Sequence, residues 1–80
     1  MNDNTQGFRY KEFGDLVRQW RQAVRPPMTQ RELAEKIEVT SGFLAHVETG
    51  RTLPGVRTLV AISRALGVPL HDVLRAAGYL

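Results

Sequence analysis

Apolar residues recur along this chain at intervals of three and four, and each such run is bounded by proline, glycine or a hydroxyl side chain. Phe13, Leu16, Val17, Trp20 and Val24 form the first run, which predicts a helix over 11–24 with one buried stripe, ended by Pro26 and Pro27. Trp20 is assigned to the core. Thr29 followed three residues later by Glu32 is a capping box, so a second helix begins at Gln30 with Leu33, Ala34 and Ile37 facing inward. Glu38 and Val39 make the turn that follows. Thr40 caps a third helix over 41–49, in which Leu44 and Val47 face the core while Ser41, Gly42, Ala45, His46 and Thr49 point elsewhere. Gly50 ends it in the left-handed conformation.

Past the Leu53-Pro54-Gly55 loop, Val56, Leu59, Val60, Ile62, Ala65 and Leu66 define a fourth helix that stops at Gly67. Pro69 opens a fifth, with Leu70, Val73, Leu74 and Ala77 apolar, before Gly78 and the short apolar tail Tyr79-Leu80. No stretch alternates as a strand would, so the expected fold is all-α with five helices. Residues 1–7 carry neither a periodic apolar face nor Lys or Arg, and the expected division is a tail over 1–10 and one domain over 11–80.

Composition narrows the function. Eighty residues with 42% apolar content support a single small core, since a domain of this size buries only about 60% of its unfolded-chain surface. The absence of Cys excludes a disulfide framework, a thiolate zinc site and a cysteine nucleophile. No apolar run approaches the roughly 18 residues of a membrane span and no signal-peptide pattern is present, so a cytoplasmic location is expected, without membrane contact. No metal or cofactor motif occurs, and no carboxylate pair or activated nucleophile assembles from the spacing, so no enzyme is expected. His71 beside Asp72 suggests a catalytic fragment, but adjacent helical residues point in different directions. The formal charge of +3 suits a nucleic-acid partner and also many inert basic domains.

Placement of residues carries more than charge. Thr29 to Gly50 spells two short helices joined by a turn too tight for an antiparallel pair, which presents one helix outward, and in a basic domain the natural acceptor is a DNA groove. The run Thr29-Gln30, Glu32-Leu33-Ala34, Ile37, Val39-Thr40, Leu44, Val47-Glu48, Gly50 and Pro54, followed by Leu59 and Ala65-Leu66-Gly67-Val68, resembles the Cro and repressor type of helix-turn-helix. The likeness covers Phe13 to Ala77 and implies a five-helix, lambda-repressor-like domain. It also implies the family's docking mode, in which the third helix enters the major groove and two copies bind adjacent half-sites.

Carried over by that resemblance, Gln30 clamps a phosphate beside the amide end of the second helix, where free N–H groups favour an anion. Thr40 and Thr49 bond the DNA backbone, Ser41, Gly42 and His46 sit at base edges, and Arg51 reaches a flanking phosphate. Glu48 matches an acid that pairs with a first-helix arginine, here Arg21. Three positions depart from the family pattern. Glu38 stands where a glycine is usual, so it either adopts positive φ at a cost of about 1–2 kcal/mol or remodels the turn. Ser41 and Gly42 are too short for a bidentate adenine contact. The Val24–Met28 link is about two residues longer than usual.

Several positions admit two readings. His46 is either a base or phosphate contact or a solvated side chain. Gly42 either lets the backbone approach DNA or is a tolerated defect costing up to about 1 kcal/mol of helix propensity. Phe43 either touches a thymine methyl or packs over the neighbouring turn. Arg31 suits ordinary surface charge, Arg51 a phosphate. The expected function is a sequence-specific regulator of transcription on double-stranded DNA, a repressor, acting as a homodimer on an inverted repeat. The fifth helix with Tyr79 and Leu80 either forms the dimer surface or closes the core. The rival is a protein-interaction module, such as an antitoxin-like partner using the same fold.

Overall fold

The computed structural model describes residues 10–80 and contains five helices in that span: α1 (Lys11–Ala23), α2 (Gln30–Lys36), α3 (Ser41–Glu48), α4 (Val56–Leu66) and α5 (Leu70–Ala76). The expected tail over 1–10 lies outside the described residues except for Tyr10, the N-cap of α1. α1 ends one residue earlier than its apolar stripe suggests, because Val24 is extended at φ −65 and ψ 144 on the approach to Pro26. α2 carries the complete capping box. The Thr29 hydroxyl accepts from the Glu32 amide at 3.0 Å, and the Glu32 carboxylate accepts from the Thr29 amide at 2.8 Å. That second bond holds the Glu32 carboxyl below the usual carboxylate range, with the Thr29 hydroxyl and Lys36 acting in the same direction.

α2, α3, α4 and α5 end alike. In each, a residue two or three positions past the helix donates back to a carbonyl five residues earlier: Val39 to Ala34, Arg51 to His46, Val68 to Ser63 and Tyr79 to Leu74, at 2.9–3.1 Å. This closure requires one left-handed residue. Gly50, Gly67 and Gly78 supply it at the last three ends, and Glu38 supplies it at φ 61 after α2. Of the two expectations at Glu38, positive φ is the one the structure adopts, at a cost of about 1–2 kcal/mol.

The core forms where the inner faces meet. Phe13 and Val17 of α1, Leu33 of α2, Leu44 and Val47 of α3, Leu59 and Ile62 of α4 and Val73 of α5 are all at most 2% exposed. Each such side chain stabilises by about 1.5–3 kcal/mol relative to exposure. Trp20, expected in the core, is only half-buried and packs against the core cluster from outside it. Tyr79 and Leu80 stay 52% and 65% exposed and so do not close the core.

Candidate nucleic-acid interface

α3 has two unlike sides, and the inner one is tied to α1 and to the start of α2. α1 crosses it at Gly14, where a Cβ would lie 2.4 Å from the Val47 carbonyl oxygen and 2.6 Å from that of Glu48. Only a glycine permits that approach. At the same crossing Arg21 Nε donates to Glu48 Oε2 at 2.8 Å and Nη2 to Oε1 at 2.9 Å, a bidentate pair with both residues buried. Arg21 Nη1 donates to the Met28 carbonyl at 3.0 Å, and the Met28 amide donates to the Arg21 carbonyl at 3.2 Å, so the long link folds back on the same arginine. Gln30 Nε2 adds a third donor to Glu48 at 3.1 Å. One carboxylate thereby ties α1, the start of α2 and the end of α3 together. Among the described residues no buried side-chain nitrogen or oxygen lacks a partner, which is the condition under which a buried ion pair is tolerated.

The outer side is short and open. Ser41, Gly42, His46 and Thr49 are exposed, and Gly42, His46 and Thr49 follow one another at helical spacing along one stripe. A Cβ at Gly42 would meet nothing within 4 Å. The Thr40 hydroxyl caps α3 by accepting from the Phe43 amide at 3.0 Å, which leaves its own hydrogen for an outside acceptor. Thr49 differs: its hydroxyl donates to the Ala45 and His46 carbonyls at 2.9 and 3.2 Å, so the proton that a phosphate would take is engaged within the helix. Arg51 is exposed just beyond Gly50.

The structure therefore brings Thr40, Ser41, Gly42, His46, Thr49 and Arg51 onto or beside one exposed helix. Phe43 belongs less clearly, because it is half-buried against the core, as packing over the neighbouring turn requires. Gln30 is half-buried with its amide on Glu48. Periodicity missed Gly14, although it lies three and seven residues before Val17 and Arg21 and so on the inner stripe of α1. It also missed the link from Gln30 to Glu48, since residues 18 apart in sequence carry no local signal of contact. No group of three or more His, Cys, Asp or Glu among the described residues is placed to hold a metal. No described helix is long and apolar enough to cross a membrane.

Residues 12–77 match the helix-turn-helix domain family, and the chain belongs to it. Among individual proteins, it is 38% identical over 65 residues to the transcriptional regulator ClgR of Mycobacterium tuberculosis, covering 81% of this chain and 56% of that protein. It is 37% identical over 60 residues to an endothelial differentiation-related factor 1 homolog of Gallus gallus, covering 75% of this chain and 39% of that protein. The chain thus spans between about two fifths and just over half the length of these curated relatives. Its fold superposes on a crystal structure of the clp gene regulator ClgR from Corynebacterium glutamicum with a TM-score of 0.73 at 34% identity, over 85% of this chain and 70% of that one.

Proposed function

We propose that this domain regulates transcription from the cytoplasm as a repressor, by laying the outer side of α3 in the major groove of double-stranded DNA as a homodimer on an inverted repeat. The observation that carries the reading is the asymmetry of α3: its inner side is tied to α1 and α2 through Gly14 and Glu48, while Ser41, Gly42 and His46 are exposed. A helix held this firmly presents its open rim without a further ordering cost on binding. Ser41 and His46 take base edges, and Gly42 admits the DNA backbone closely. Thr40 and Arg51 take phosphates, Gln30 clamps a phosphate with the amide hydrogen not engaged by Glu48, and Thr49 exchanges its internal acceptors for one. Phe43 reaches a thymine methyl only from its exposed edge.

Two copies on half-sites about 34 Å apart gain affinity because the first binding event raises the effective concentration of the second module. Exposed Leu70, Tyr79 and Leu80 are the surface proposed for that pairing. Selection of bound duplexes from a random pool tests binding, specificity and dyad symmetry together; recovery of sequences with no shared motif would reject the proposal. On a selected duplex, Arg51→Ala lowers affinity for all sequences alike and reduces the salt slope by about one, whereas His46→Ala relaxes discrimination at one base position. Fluorescence anisotropy across a salt series separates the two, and identical effects from both changes would refute the assigned roles.

A further inference from the structure

α4 carries a second stripe that the core covers only in part. Leu59, Ile62 and Leu66 face inward, while Arg57, Val60, Ala61, Arg64 and Ala65 follow one another at helical spacing on another side and, with exposed Val56, line an open groove against Lys36, Ile37 and Glu38 at the end of α2. The floor is apolar and the rims are basic. Lys36, Arg57 and Arg64 are exposed and stand against one carboxylate, Glu38, among the groove's lining residues. No ion pair within 4.0 Å engages Arg57 or Arg64 among the described residues, in contrast to Arg18, Arg21 and Arg31, which are each paired with an acid.

We propose that this groove is a docking site for an acidic amphipathic helix of a partner protein. Apolar side chains of such a helix at one-turn spacing settle over Val60 and between the small Ala61 and Ala65, whose size lets the two helix axes approach closely. Its flanking carboxylates meet the guanidinium forks of Arg57 and Arg64 and the ammonium of Lys36. Charge complementarity selects an acidic partner, and the apolar floor selects a folded helix over a phosphodiester strand, which has no apolar face to match it. The groove is lined by the end of α2 and by α4, with no residue of α3 among them.

Titration of the full chain with a synthetic helical peptide, leucines at one-turn spacing with glutamates between, tests this by NMR shift mapping. The expected result is saturable shifts at the amides of Ile37, Val60, Ala61 and Ala65. A scrambled peptide of the same composition and charge binds at least about tenfold more weakly. Combined Arg57→Glu and Arg64→Glu lowers affinity for the ordered peptide about tenfold or more, with thermal unfolding unchanged because both positions are exposed. Val56→Ser gives an independent loss through the apolar component. Equal binding of the scrambled peptide, absence of saturable shifts in the groove, or shifts confined to Ser41–Thr49 would overturn the inference. So would shifts of the groove amides by duplex DNA, since the groove would then belong to the nucleic-acid footprint.

Discussion

Gly14 and Gly42 both sit inside helices, and in a linear chain each is the same helix-weakening residue; their surroundings give them opposite meanings. At Gly14 the missing side chain is what allows α1 to lie against the last carbonyls of α3. At Gly42 there is open space, so no contact within the domain requires a glycine. The contrast separates the two sides of α3: one is constrained by the fold, and the other is free to be shaped by whatever it binds.

The largest test of the constrained side is Glu48→Ala. It strands Arg21 at 9% exposure and frees Gln30, so a loss of about 3–5 kcal/mol is expected. Chemical denaturation measures this, and a loss under about 1 kcal/mol would mean that the pair behaves like a surface ion pair. Gly14→Ala comes next. Helix propensity favours alanine by about 1 kcal/mol, but the Val47 and Glu48 carbonyls are backbone and cannot step aside, so α1 must shift at a cost of about 1–3 kcal/mol. Net destabilisation is expected, and a variant as stable as its parent would show that the crossing is loose.

Gly42→Ala should do the reverse, raising stability by up to about 1 kcal/mol while weakening DNA binding if the backbone must approach a sugar or base. A gain in stability with unchanged affinity would reduce Gly42 to a tolerated defect. The smallest effect lies at the capping box, away from both glycines. Because the folded pKa of Glu32 is lowered, its contribution is present above the unfolded pKa and is lost as pH falls through the folded one. Melting temperatures recorded into the acid range should fall less steeply for Glu32→Gln than for the parent, and parallel curves would remove the carboxylate from the explanation.

Local features were the legible ones. The Thr29 and Glu32 box, the Thr40 cap and the glycine stops at Gly50 and Gly67 involve partners within one helical turn or so, where residue type and spacing nearly dictate the bond. Legibility faded with separation. Arg21 and Glu48 lie 27 residues apart and were joined only through family likeness, since periodicity places Arg21 and Glu48 on helices without saying which helices cross. Trp20 was over-assigned because a stripe reports direction and not whether a neighbour covers it.

The order of side chains by itself determined five helices, the caps at Thr29 and Thr40 and the outward-facing α3, because each depends on interactions between residues close along the chain. Tertiary structure decided that Glu38 would bear positive φ, that Gly14 would become a contact point and that one buried carboxylate would bind three elements. It also decided which arginines were left without a carboxylate partner beside α4. These outcomes depend on which surfaces meet when the chain closes on itself, and that is a property of the packed whole.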